Sequence, residues 1–84
     1  MNDPAAIRLE RRDPARNLMR YYALQITPSL FGEWCLLRAW GRIGRKGQTR
    51  TEWFGSWEEA AEALRTLERR KRRRGYRENN KNTS

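Results

Sequence analysis

One segment of the chain carries helical periodicity, and it has to cover everything else. Trp57, Ala60, Ala61, Leu64 and Leu67 fall on a single stripe at the α-helical repeat. The stripe is headed by Ser56-Trp57-Glu58-Glu59, a capping box in which Ser56 and Glu59 each serve the other's backbone amide. Glu58, Glu59 and Glu62 lie at its N-terminal end and Arg69 to Arg74 at its C-terminal end, the order that the helix dipole favours, and Gly75 is placed to stop it. Upstream, apolar and polar residues alternate with a period of two. Residues 7–11, 20–27, 33–40 and 48–54 read as strands, separated by a turn at Asp13-Pro14-Ala15-Arg16, a loop over 27–32 and a glycine-rich reversal over 41–47. Strands joined by short turns form an antiparallel meander, and one amphipathic helix can cover only one of its faces. The expected class is therefore α+β: a small sheet of about four strands with one long C-terminal helix. The domain is expected over 7–77, after a flexible lead-in at 1–6 and before a disordered polar tail at 78–84.

Composition narrows the chemistry. A chain of 84 residues, 37% of them apolar, has room for one thin core and no large enclosed active site. No unbroken apolar run is longer than Trp34 to Leu37, well short of the ~20 residues that cross a bilayer. Met1 to Glu10 lacks the apolar stretch of a secretory signal, so a cytoplasmic protein is expected. Cys35 is the only cysteine and histidine is absent, which excludes an intrachain disulfide, a zinc finger and imidazole acid–base catalysis. Cys35 reads as a small core residue, and the expectation is a non-enzyme with no cofactor and no metal.

Charge points to a partner. The formal net charge is +9, and sixteen of the 19 cations are Arg. Residues 65–84 alone hold nine cations against two anions, whereas residues 1–40 hold six against four and residues 41–64 four against four. Such a cluster repels itself unless something neutralises it, and the guanidinium fork suits phosphate. The run Arg69-Arg70-Lys71-Arg72-Arg73-Arg74 exceeds the two or three cations that would satisfy a helix terminus. A polyanion is the expected partner.

Four tryptophans must also be placed. Trp57 on the helical stripe and one of Trp34 or Trp53 are expected in the core. Trp40 stands at a strand end, before Gly41 and Arg42 and near Arg45, Lys46 and Arg50. It is either a plug over the core with Arg42 stacked on it, or a platform for a base or sugar while the cations hold phosphates. Gly41, Gly44 and Gly47 recur every three residues, as a tight hairpin reversal demands, and the stretch lacks the Gly-Lys-Ser/Thr of a nucleotide-binding loop.

The stretch Arg38-Ala39-Trp40-Gly41-Arg42-Ile43-Gly44-Arg45-Lys46-Gly47-Gln48-Thr49 resembles the signature of the WGR domain. Leu9-Glu10 and Arg20 to Gln25 are similar to that family's opening strands, Phe54 to Leu67 to its helix, and Lys71 with Gly75-Tyr76 to its closing residues. The resemblance implies a small antiparallel sheet with one packed helix. Such domains occur in poly(ADP-ribose) polymerases, where they bind DNA near strand breaks, and in short bacterial proteins, to which the compact Gly44-Arg45-Lys46-Gly47 turn is more similar. By position it implies that Trp40 lies near a terminal nucleotide, that Arg42 bridges DNA and neighbouring protein, and that Lys71 meets the backbone. ADP-ribosyl transfer is not implied, because the polymerase catalytic domain and zinc-finger ligands have no counterpart here.

The resulting expectation is a stand-alone, monomeric module that binds nucleic acid, DNA in preference to RNA, with ends or nicks as candidate targets. Its candidate residues are Trp40, Gly41, Arg42, Arg45, Lys46, Arg50, Arg70, Lys71, Arg73 and Arg74. The alternative is an adaptor whose basic face docks an acidic protein partner, with Trp40 as a buried anchor. A membrane surface is not an expected partner, since the sheet needs the helix's apolar stripe.

Overall fold

The computed structural model describes residues 5–78. Its elements run β1 (Ala6–Asp13), a single 3-10 turn (Pro14–Arg16), β2 (Leu18–Pro28), β3 (Trp34–Arg42), β4 (Gln48–Phe54), α1 (Trp57–Arg73) and β5 (Arg77–Glu78). The sheet has five strands in the order β4-β3-β2-β1-β5, each pairing antiparallel. The α+β class and the meander of β1 to β4 are as the alternation predicts. The strand β5 is an addition: Arg77–Glu78, expected in or beside a disordered tail, pairs with Leu9 and Glu10. Residues 79–84 of that expected tail, and residues 1–4 of the expected lead-in, lie outside the described residues. Ala6 of the lead-in is already in β1, and the Ala5 carbonyl accepts a hydrogen bond from the Ile26 amide at 2.7 Å.

Register decides which side chains the helix covers. Ile7 and Leu9 align with Leu24 and Tyr22 of β2, and Tyr22, Leu24 and Ile26 align with Trp40, Arg38 and Leu36 of β3. These positions share one face by the period-two rule. Ala60, Ala61 and Leu64 of α1 close over it, and Leu9, Leu24 and Leu36 are the largest fully buried side chains. Two adjacent alanines let the helix axis approach the sheet. Trp34, Trp40, Phe54, Trp57, Leu67 and Tyr76 pack around this centre. Trp34 is therefore the second core tryptophan, and Trp53, in the opposite alternation, is 58% exposed.

The helix starts at the expected cap and stops at the expected glycine, but the return bond of the capping box falls on Gly55 and not on Ser56. Ser56 Oγ accepts from the Glu59 amide at 3.1 Å, and Glu59 Oε1 accepts from the amide of Gly55, one residue before the cap. At the other end the Gly75 amide donates to the Arg72 carbonyl and the Tyr76 amide to the Lys71 carbonyl, with Gly75 at φ +97°. This Schellman closure turns the chain back beneath the helix, where Tyr76 enters the core rim and Arg77 reaches β1.

The glycine-rich reversal is fixed by close approach. A Cβ on Gly47 would overlap the Trp40 carbonyl oxygen and lie 2.5 Å from the Tyr21 hydroxyl, and one on Gly41 would lie 2.9 Å from Gly47 Cα. Gly41 and Gly47 face each other across the hairpin, and Gly44, at φ +86°, forms the bend. Gly47→Ala is expected to destabilise the fold by at least about 2 kcal/mol, because the obstructing oxygen belongs to the backbone. Gly55→Ala, whose Cβ would meet only Glu59 Oε1 at 3.7 Å, is expected to stay within about 0.5 kcal/mol of wild type. Urea unfolding followed by tryptophan fluorescence measures both.

Candidate functional site

Where the helix runs past the apolar core, its stripe changes character. Leu67 is followed on the same face by Arg70, Lys71 and Arg74, at the i, i+3, i+4 and i+7 positions. The sheet beneath presents Tyr22, Arg38 and Trp40. Together these residues and Arg73 line an open cavity of about 510 Å³.

Its floor is aromatic and its walls are cationic. The Tyr22 and Trp40 rings stack with centroids 6.0 Å apart, and Tyr76 meets Tyr22 edge-on at 6.5 Å. Arg38 donates from Nε to the Tyr22 hydroxyl at 2.9 Å and from Nη1 to Glu52 at 3.1 Å, which holds its guanidinium 5.8 Å from the Trp40 ring centre. Lys71 Nζ sits 4.5 Å from the Tyr22 centroid and 5.5 Å from that of Tyr76. Partial burial, then the charges of Arg74, Arg38 and Arg70, push the Lys71 amine below its ordinary lysine value of 10.5.

Ion pairing sorts the helix-end run. Arg72 bonds Glu68 at 2.9 Å and reaches Glu78 at 3.5 Å, and Arg69 bonds Thr66 at 3.3 Å. Among the described residues, Arg70, Lys71, Arg73 and Arg74 have no carboxylate at ion-pair distance. Of the helix-end run, the cations that line the cavity are thus those without a carboxylate partner among the described residues, whereas Arg38 beneath them is paired with Glu52.

Of the residues expected from sequence, Trp40, Arg70, Lys71, Arg73 and Arg74 come together here. The other five do not line the cavity. Gly41 serves the backbone approach to Gly47. Arg42 donates to the Asn17 carbonyl at 3.3 Å and to Asn17 Oδ1 at 3.1 Å, so the cation over Trp40 is Arg38 and not Arg42. Arg45 and Lys46 are exposed in the β3–β4 turn at the same end of the sheet. Arg50 lies in register beside Arg38, 3.7 Å from Glu52. Sequence reasoning missed Arg38 and Tyr22 as members of the site. The signal was there: Arg38 is two residues before Trp40, hence on the same strand face.

A one-helix antiparallel α+β unit with an aromatic-floored cationic cavity has the make-up of a small binding module. The chain belongs to the WGR domain family, whose model matches residues 5–83. That family is a nucleic-acid-binding type of module in poly(ADP-ribose) polymerase-like proteins. The chain is similar to the uncharacterized protein y4dW of Sinorhizobium fredii (strain NBRC 101917 / NGR234), 52% identical over 77 residues. That match covers 92% of this chain and 38% of the relative, so the chain spans well under half the relative's length. No helix among the described residues is long and apolar enough to cross a membrane.

The lowered Lys71 amine has a measurable sign. Its charged form is disfavoured in the folded state, so the unfolded chain binds the proton more tightly between the lowered value and 10.5. Stability is expected to rise with pH across that window, and Lys71→Met to remove that part of the rise. Side-chain NMR titration of Lys71 reads the lowered value directly. Adding inorganic phosphate is expected to move it upward, because an anion in the cavity favours the ammonium.

Proposed function

We propose that this protein is a non-enzymatic DNA-binding module that seats the sugar–phosphate backbone at or beside a duplex end or nick in the cavity between Trp40 and the helix terminus. The observation that carries this reading is the set of four cations, Arg70, Lys71, Arg73 and Arg74, that have no carboxylate partner among the described residues and surround an aromatic floor. Cations without carboxylate partners exchange condensed counterions for protein contacts when they meet phosphates, and that release drives affinity. Trp40 supplies a surface for a terminal base or sugar, a contact that an internal, fully stacked base pair does not offer. Arg45, Lys46 and Arg42, at the same sheet end, extend the positive field along the strand and position it without reading bases. One copy carries the whole face, so a monomer suffices, in the cytoplasm where bacterial DNA lies. The preference for DNA over RNA and for ends or nicks rests on family likeness.

Fluorescence anisotropy of labelled blunt duplex, nicked duplex, single-stranded DNA and RNA across a salt series tests the proposal. Log K is expected to fall with log salt at about −0.9 per phosphate contacted, and Arg70→Gln with Arg74→Gln to reduce that slope by about 2. Trp40→Ala is expected to cost about 1–3 kcal/mol on ends and nicks while leaving the slope unchanged. Equal binding to all four polymers, indifferent to Trp40→Ala, overturns end recognition. No binding at low salt overturns the nucleic-acid reading and leaves the basic face to an acidic protein.

A further inference from the structure

We propose a second interaction surface, on which the chain binds another copy of itself: the β2–β3 tip of one copy docks in the uncovered face of the sheet of the next. The helix covers one face only. On the other, the side chains of Ala23, Ala39, Thr49, Thr51, Leu37 and Arg8 border a concavity of about 610 Å³ that spans β1 to β4. They occupy two adjacent rungs of the ladder. Tyr21 stands in the rung beyond at one end and Trp53 in the rung beyond at the other. The result is a trough floored by Ala23, Ala39, Thr49 and Thr51 with an aromatic at each end. Arg8, 4.5 Å over the Tyr21 ring, shares the Glu10 carboxylate with Arg12, and two guanidinium groups against one carboxylate leave this border with net positive charge.

The chain also carries a knob to match. Leu30 and Phe31, at the β2–β3 tip, are 94% and 86% exposed, the two most exposed large apolar side chains of the described residues. The turn backbone that carries them is nevertheless cross-linked by hydrogen bonds. Ser29 Oγ accepts from the amides of Phe31 at 3.0 Å and Glu33 at 3.1 Å, the Ser29 amide donates to the Glu33 carbonyl at 2.8 Å, and Gly32 closes the bend at φ +87°. A turn whose backbone is fixed in advance loses little backbone entropy when it docks.

Charge and shape select a second copy presented in this orientation. The tip lies at the sheet end where Trp34 pairs with Phe54 and the helix begins, so Glu33, Glu58 and Glu59 gather there. In a chain of net charge +9 this is the acidic end, and the one a positive trough attracts. A polyanion or an anionic membrane is repelled by the same carboxylates. Two concave faces pressed together would leave a void, whereas a two-residue knob fills a trough. Because knob and trough are different patches, the contact is head-to-tail and adds copies in line instead of closing a dimer.

Sedimentation velocity without nucleic acid, from about 10 µM to about 1 mM protein, tests this independently of DNA binding. The variants are Leu30→Ser with Phe31→Ser, which removes the knob, and Thr49→Trp, which fills the trough from the exposed edge strand, with Thr51→Trp in its place should the first not fold. Wild type is expected to pass beyond twice the monomer mass as concentration rises, and each variant alone to remain a monomer. An equimolar mixture of the two variants restores one knob and one trough, and is expected to reach twice the monomer mass and no more. Three outcomes overturn the proposal: wild type monomeric throughout, the knob-less variant still associating through its sheet face or edge, or the mixture remaining monomeric.

Discussion

Tyr22 is the side chain through which the core and the cationic surface are one construction. Its ring is buried beneath the helix terminus, in contact with Leu9 by strand register and with Trp40 by stacking. Its hydroxyl takes the Arg38 guanidinium, its face takes Lys71, and its edge meets Tyr76. Each neighbour arrives by a different route: Arg38 and Trp40 from the next strand, Lys71 from the last turn of the helix, and Tyr76 from the closure that follows. The site's geometry is therefore as stable as the core. A cation held against an aromatic face and an arginine pinned at two atoms need little reordering when an anion arrives, so charge-assisted bonds keep more of their energy.

Much of this was legible in the sequence because it depends on local periodicity. The capping box, the apolar stripe, Gly75 and the four alternating segments each specify their own conformation, and together they require one helix on one side of a meander. What escaped was register. Without strand pairing, Arg38 is a polar residue in an apolar strand; with it, Arg38 aligns with Leu24 and Arg50 and points under the helix end. Register likewise settles Trp34 against Trp53, which the sequence leaves open. The two-residue β5 is too short to carry periodicity, and its pairing follows from the direction in which the Schellman turn releases the chain. Arg42 was misplaced for another reason: Asn17, in the left-handed conformation between two strands, presents both its carbonyl and its side chain to that guanidinium.

Charge is distributed along the molecule's length as well as around the cavity. The helix starts among glutamates at the sheet end that carries Leu30 and Phe31, and finishes among arginines at the end that carries Trp40 and the β3–β4 turn. This order stabilises the helix dipole and also gives the two ends of the sheet opposite electrostatic character. A polyanion approaching the molecule would therefore be drawn to one end of the sheet and repelled from the other. The uncovered sheet face is a direct result of having one helix. Small and polar side chains such as Ala23, Thr49 and Thr51 line it, and the ion pairs of Arg8 and Arg12 to Glu10 keep its β1 side polar.

The face-to-face approach of Gly41 and Gly47 fixes more than a bend. The pairing of β3 with β4 ends at Trp40, and the chain must return across the Trp40 carbonyl oxygen at Gly47, so residues 42–46 form a closed span whose length is dictated by its two ends. Side-chain identity within the span is open, since Arg45 and Lys46 are exposed. Its length is not. Variation among descendants of this sequence is thereby channelled into substitutions at the tip, and away from the insertions and deletions that surface loops ordinarily accept.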